Sequence, residues 1–371
     1  MSNSIIPAPI LGLPWRVIFV MTALVCCGAT VLYSAAGGSF SPYAGKHLMQ
    51  FALYLAMAII MSRLPLEFWK KITFPAYGAT LILLIFVEIT GQIGGNSQRW
   101  VNLGLITLQP SELMKPVLVL ATAWFFDRLP ANRINSFDVV LPMAGLLLLP
   151  CILVIIQPDF DAAIVFAFCV IVVGFLAGLP IKYFVLGGAG TAILAPLVYF
   201  FGLRPYQQNR VLIFFNPESD PLGAGYHIMQ SKIAIGSGGL FGKGFMQGTQ
   251  SHLDYLPEGH TDFVFATMAE EWGLLGGLVI IGLYCLLMRW CIKVALKTNR
   301  RYGKLVAMGM TCTIFFYIVI NLLMAMGLFP VAGIPLPFIS HGGSSMLTIM
   351  ICIGIIMSVD RHPGTRQGQF G

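Results

Sequence analysis

From Pro14 to Asp360 the chain is a succession of apolar runs broken by short polar stretches. Each run approaches the roughly 20 residues a helix needs to cross a bilayer. Backbone inside lipid must satisfy its own polar groups, so an open run of this kind has to be a helix. The predicted spans are 15–35, 46–62, 71–90, 111–127, 138–157, 160–179, 182–202, 262–296, 303–328 and 341–359. The expected fold is an all-α polytopic membrane protein of about ten transmembrane helices, forming a single integral membrane domain over residues 1–371. Composition agrees, because 57% hydrophobic and 10% charged residues lie far from the soluble average.

No internal repeat, heptad pattern or low-complexity tail marks a separate soluble domain. The first sixteen residues show no basic leader and no small-residue cleavage site, so the first helix is expected to stay in the mature protein. All eight cysteines fall inside apolar runs without metal-site spacing, and are read as packing residues.

The net charge of +7 is less informative than its distribution. Basic residues crowd after the second span (Arg63, Lys70, Lys71) and after the eighth (Lys293, Lys297, Arg300, Arg301, Lys304), which assigns those loops to the cytoplasm. Arg128, Arg133, Lys182, Arg361 and Arg366 fall in register, so both termini are expected to be cytoplasmic and the stretch of about 203–261 extracytoplasmic. Cationic loops held against the inner leaflet account for the charge, and no nucleic-acid partner is expected. Loops as long as 203–261 are usually functional. Its glycines preclude one continuous helix, and the apolar residues among them predict an ordered, membrane-hugging loop with short helices. Asn321 and the Gly- and Pro-rich stretch Gly327–Ser345 suggest a second irregular outer loop.

Cations on the outer face run against this pattern: Lys46, Arg99, Lys115, Arg204, Arg210, Lys232 and Lys243. Singly they fit snorkelling to lipid headgroups. Together, beside a glycine-rich loop, they suit an anionic phosphate or diphosphate ligand. In LQPSELMKP, Glu112 and Lys115 share a helix face, and charge inside a membrane marks a functional residue by default. Pro110 and Ser111 suit a helix start, with Ser111 as N-cap. In QPDFDA, Asp159 and Asp161 offer too few ligands for a cation by themselves, and a returning polar turn is the expected role; Asp159 is the weak metal candidate.

The stretch LPEGHTDFVFA sets Glu258, His260 and Asp262 ahead of a long apolar run. Thr261 or Asp262 is expected to cap the helix that follows. Glu270, eight residues on and so about 12 Å along the helix, is expected either to face the same cavity as Asp262 or to pair with a buried base.

The segment GAGYHIMQSKIAIGSGGLFGKGFMQGTQSHLDYLPEGHTDFVFATMAEEWG resembles the signature of the SEDS family of bacterial shape, elongation, division and sporulation proteins. The likeness also takes in QRW at 98–100, QPSELMK at 109–115, QPD at 157–159, NPESDPLGAGYH at 216–227 and PLPFIS at 335–340. It is strongest to members that act in cell elongation and rod shape. The resemblance implies a peptidoglycan glycosyltransferase that polymerises lipid II into glycan strands and releases undecaprenyl diphosphate. It makes Asp262 the essential acidic residue, and Glu112 and Lys115 functionally important.

Single-displacement inversion needs one general base, Asp262. It also needs positive charge at the leaving group, for which Lys115, Arg99, Lys46, Arg204 and Arg210 are candidates. His260 and Glu258 are read as positioning residues. A divalent cation, Mg or Mn, is admitted as a cofactor. The implied partners are lipid II, the nascent glycan strand, a class B penicillin-binding protein and other elongation-complex membrane proteins. The family pattern QPDLGT is replaced by QPDFDA, and the residue before GGSS is His341 where Tyr or Asn is usual. The rival reading is a lipid II flippase. Transporters, however, tend towards paired repeats and a midplane site.

Overall fold

The computed structural model describes residues 12–90, 92–94, 97–102, 107–130, 133–134, 139–202, 223–253, 255–256 and 258–363, with a few isolated positions between 208 and 220. Ten helices answer the ten predicted runs: α1 Trp15–Ala35, α2 Ala44–Met61, α3 Leu66–Thr90, α4 Pro110–Arg128, α5 Val140–Ile156, α6 Phe160–Leu176, α7 Ile181–Leu197, α9 Val264–Lys297, α10 Arg301–Ala325 and α11 Gly343–Arg361. Between α7 and α9 lies α8, Ala224–Ser237, and a single helical turn at Thr249–His252. Among the described residues, seven helices are long and apolar enough to cross a membrane: α1, α2, α3, α7 with its π turn to Gly202, α9, α10 and α11. The apolar α5 and α6 are shorter, at 17 residues each. The remaining helix, α4, carries Glu112, Lys115, Asp127 and Arg128.

Burial sorts these helices. The most enclosed are α4, α10 and α11, whereas α7 buries none of its residues. Packing of α2 on α11, α3 on α4, α4 on α6, and α9 on α10 and α1 builds the bundle around them. All eight cysteines are free; Cys151, Cys169, Cys291 and Cys352 pack inside, whereas Cys26 and Cys285 are exposed on outward faces.

One small element lies outside the all-helical pattern. Gln92–Gly94, Ser97–Asn102 and Thr107–Leu108 form an antiparallel ribbon, β1-β2-β3, at the α3–α4 connection, with Gln92 opposite Trp100 and Val101 opposite Leu108. Strands this short carry too little alternation for the sequence to announce them.

The start of α4 departs from expectation. Gln109 precedes α4 without a side-chain cap, Pro110 takes the first helical position, and the Ser111 hydroxyl donates instead to Asp159. Proline suits that place because the first turn's N–H groups have no helical acceptor. The entry to α6 is capped by the Asp159 carboxylate, which accepts from Ala162 N at 3.4 Å.

Candidate active site

The HTDF stretch is a tight turn built on Glu258. This residue sits at φ 59°, and its carbonyl accepts from Thr261 N at 3.0 Å and Phe263 N at 3.2 Å. Its carboxylate accepts the Thr261 hydroxyl at 2.6 Å. That bond turns Thr261 away from the helix, whose N-cap is Phe263 without a side-chain cap bond, so the expected capping by Thr261 or Asp262 does not occur. A strained non-glycine backbone at such a place is a mark of functional segments.

Asp262 is half-buried in this turn. Asn321, fully buried in α10, donates through one amide nitrogen to Asp262 O at 3.0 Å and to Ile334 O at 2.8 Å. The HTDF turn and the 326–342 segment are thereby stapled to each other and to α10. Gly333 is exposed, and a Cβ placed there would lie 3.9 Å from Asp262 Oδ2. The absence of a side chain at 333 keeps open the space in front of the carboxylate.

The 326–342 segment is irregular, as expected, and its centre enters the bundle. Leu336 to Ser340 are buried, and a Cβ at Gly28 of α1 would overlap the backbone of Phe338 and Ile339. Its carbonyls are satisfied from neighbouring helices: Tyr284 OH donates to Pro337 O, and His47 Nε2 lies 3.0 Å from Phe338 O. Irregular backbone at such depth persists only when protein surrounds it.

An aromatic group flanks the turn. Tyr43 stacks on His260 with centroids 4.3 Å apart and meets His341 edge-on at 5.3 Å. His341 N donates to His260 O at 3.0 Å. Lys46, exposed in the first turn of α2, stands near enough to repel a proton from His341; burial first, then Lys46 and His260, lower that imidazole to about 4. Burial also lowers His260, against the opposing pull of Glu258. Both rings are thus kept as neutral donor-acceptors at neutral pH.

Glu112 and Lys115 meet as predicted, with Nζ 2.6 Å from Oε1. A third member, Tyr317 of α10, had no place in the sequence reading: its hydroxyl lies 2.5 Å from Glu112 Oε2 and contacts Lys115 Nζ. Relative exposures of 7%, 3% and 0% enclose this triad. Lys115 is therefore turned to its carboxylate and phenol. A residue four positions away on a helix shares its face, so Asn321 sits one turn from Tyr317 and joins the triad to the Asp262 turn.

Glu270 pairs with a base, Lys243, that is itself partly exposed. Fully buried, it accepts Lys243 Nζ at 2.6 Å, Thr249 Oγ1 at 3.1 Å and Gln250 N at 3.0 Å. It fastens the glycine-rich loop to α9. Just beyond it, α9 breaks at Gly273, with φ 66° and ψ −165°. Leu274 and Leu275, whose N–H groups would ordinarily close helical turns onto Glu270 and Glu271, donate to Gly239 O at 2.9 Å and Leu240 O at 3.2 Å. The carbonyls of Glu270 and Glu271 accept from Lys243 N at 2.9 Å and Gly244 N at 3.1 Å. This close approach needs Gly242, at φ 81°, where a Cβ would overlap Glu271 O.

Asp159 accepts Gln109 Nε2 and Ser111 Oγ, each at 3.2 Å, besides capping α6. These are the contacts of a structural tie between α4 and α6. Among the described residues no three His, Cys, Asp or Glu side chains gather as a metal-holding set. Asp161, from the same turn, accepts Gly333 N at 3.3 Å. Arg204 and Arg210 lie outside the described residues, as does the side chain of Arg99; Lys232 is exposed on α8.

Such a bundle, with a carboxylate turn and two buried charged centres near the ends of its helices, defines a multi-pass helical membrane protein with a polar site. Residues 13–364 match the family of cell cycle proteins FtsW, RodA and SpoVE, and the chain belongs to that family. It is 39% identical over 347 residues to peptidoglycan glycosyltransferase MrdB of Escherichia coli strain K12, covering 93% of this chain and 92% of that one. It is 29% identical to peptidoglycan glycosyltransferase RodA of Treponema pallidum, over 93% of this chain and 97% of the relative. The fold matches a chain of the structure described as "Structural coordination of polymerization and crosslinking by a peptidoglycan synthase complex", with TM-score 0.82, 33% identity, and 95% and 98% of the two chains covered. Thermus thermophilus RodA matches with TM-score 0.71 and 30% identity, over 95% and 97%.

Proposed function

We propose that this chain is a peptidoglycan glycosyltransferase of the bacterial inner membrane, polymerising lipid II on the extracytoplasmic face with release of undecaprenyl diphosphate. The observation that carries the reading is the Asp262 turn: a half-buried carboxylate, its backbone stapled by Asn321, opening onto the space left by Gly333. The seven membrane-length helices, the shorter apolar α5 and α6, the charged α4 and the run of basic loops support ten spans with both termini in the cytoplasm.

In the proposed reaction the acceptor sugar hydroxyl attacks the anomeric carbon of the lipid-linked donor. The new C–O bond forms as the bond to the diphosphate breaks, and the leaving diphosphate takes the electron pair. Asp262 accepts the hydroxyl proton, which requires hydrogen-bond reach before any shifted pKa. Inversion follows from the single displacement, with no covalent intermediate on the enzyme.

Lys46 and the outer arginines Arg99, Arg204 and Arg210 are the groups proposed to receive the diphosphate charge. Lys115 and Glu112 support the site from below. Glu258 and His260 shape the turn. No step is routed through a metal. A class B penicillin-binding protein is the proposed partner in an elongation complex; support comes from the likeness to a chain of a peptidoglycan synthase complex.

The test supplies lipid II to the purified protein with such a partner and compares wild type with Asp262→Asn. Polymer from wild type and none from the variant is expected, whereas equal polymer from both would sink the assigned base. If neither makes polymer and wild type instead moves labelled lipid II across vesicle membranes, the flippase reading replaces this one.

A further inference from the structure

We propose that Asp161 is a positioning residue for the reaction at Asp262, acting through the backbone of Gly333. The proposal rests on reading Asp262 as the general base. Asp161 stands in QPDFDA, two residues after Asp159 and at the start of α6.

Three observations converge on it. Asp161 lies in the first turn of α6, a helix whose start is fixed by the Asp159 cap, so the carboxylate projects from a rigid support. Its Oδ2 accepts the Gly333 amide at 3.3 Å. The next residue, Ile334, is gripped through its carbonyl by the same Asn321 amide that holds Asp262 O. Gly333 and Ile334 are therefore clamped at two points, from α6 and from α10, directly opposite the Asp262 carboxylate that a Cβ at 333 would approach to 3.9 Å.

The physical consequence is positional. An irregular segment held at one point swings about it; held at two, its distance from Asp262 is set. Displacement of about 1 Å between a base and its substrate costs up to about a hundredfold in rate. A carboxylate also makes a stronger acceptor for a backbone N–H than a neutral oxygen does. The wall that faces the acceptor hydroxyl is thus fixed before substrate arrives.

The experiment compares wild type, Asp161→Ala and Asp161→Asn, each purified with the penicillin-binding partner and supplied with lipid II. Hydrogen exchange of peptides covering residues 331–336 is followed in the same samples. We expect Asp161→Ala to lose about tenfold in kcat with KM little changed, and to exchange faster across 331–336. Asp161→Asn, whose amide oxygen can accept the same N–H, should stay within roughly threefold of wild type and exchange as wild type does. Full activity in Asp161→Ala, or an equal loss in Asp161→Asn, overturns the proposal.

If Asp161→Ala does not fold, Asp161→Ser, too short to reach Gly333, replaces it. Should wild type make no polymer, the glycosyltransferase reading fails, and the exchange measurement still decides whether Asp161 holds the segment. Unchanged exchange in Asp161→Ala then overturns the clamp by itself.

Discussion

Tyr317 and Asn321 stand one turn apart on α10 and hold two different polar systems: the phenol meets Glu112 at 2.5 Å, and the amide meets Asp262 O at 3.0 Å. A rigid helix thus sets the separation between a buried ion pair and the turn that carries the proposed base. Disturbing either should be felt at the other.

The first consequence concerns Lys115. Removing it in Lys115→Met leaves Glu112 buried beside Tyr317 with its cation gone, and breaking a buried pair costs about 3–5 kcal/mol. Thermal unfolding in detergent should show the loss. The double variant Glu112→Gln with Lys115→Met should recover part of it, since no lone charge remains.

Tyr317→Phe keeps the ring and deletes the hydroxyl shared by Glu112 and Lys115. A stability loss of about 1–3 kcal/mol is expected from the acceptor left without its donor, together with reduced polymerisation. An unchanged melting temperature would show that the phenol contributes nothing to the triad.

Asn321→Leu removes both grips on the backbone and leaves the Asp262 carboxylate in place. Polymerisation should fall by about tenfold or more. A variant as active as wild type would mean that the turn holds its shape without the staple.

At the glycine-rich loop, Gly242→Ala forces a methyl against Glu271 O at a backbone angle that disfavours any side chain. The loop should lift from α9, and limited proteolysis should cut within residues 238–251 faster than in wild type. Glu270→Gln, which removes the charge facing Lys243 but keeps the shape, should show a smaller increase.

The His341 imidazole titrates near 4 in the folded protein against an ordinary 6.5. An unfolded chain therefore takes up the proton first as pH falls. The stability tied to neutral His341 is complete above pH 6.5 and is lost progressively between 6.5 and 4. His260 is shifted in the same direction and Lys46 adds repulsion. Melting temperature should drop across that window in wild type and drop less in His341→Asn.

Hydropathy placed the ten helices that answer the apolar runs, seven of them long and apolar enough to cross a bilayer among the described residues, because lipid allows an apolar run few alternatives. The site was legible where charge broke that pattern: Glu112, Lys115, Glu270 and Asp262 stand out against apolar neighbours. Tyr317 was hidden because it is a neutral polar residue in a hydrophobic helix, and Asn321 pointed only to the irregular segment that follows it, not to the Asp262 turn it holds. Their spacing of four residues was the available signal, and it gains meaning only when α4 and the HTDF turn are brought to that face. The misplaced caps have a local cause. Thr261 and Ser111 each found a carboxylate, Glu258 and Asp159, closer to hand than the helix terminus. Asp161 read as a departure from a pattern; its partner, the Gly333 amide, lies 172 residues away in the chain.

The exchange of hydrogen bonds between α9 and residues 239–244 bears on how the chain is assembled in the membrane. Bare peptide groups at a break such as Gly273 would be expensive in hydrocarbon. The residues that cover them precede α9 in the chain and leave the ribosome first. The groups that the break strips of helical partners are thus supplied by residues encoded before the helix itself, and the glycine-rich loop completes α9.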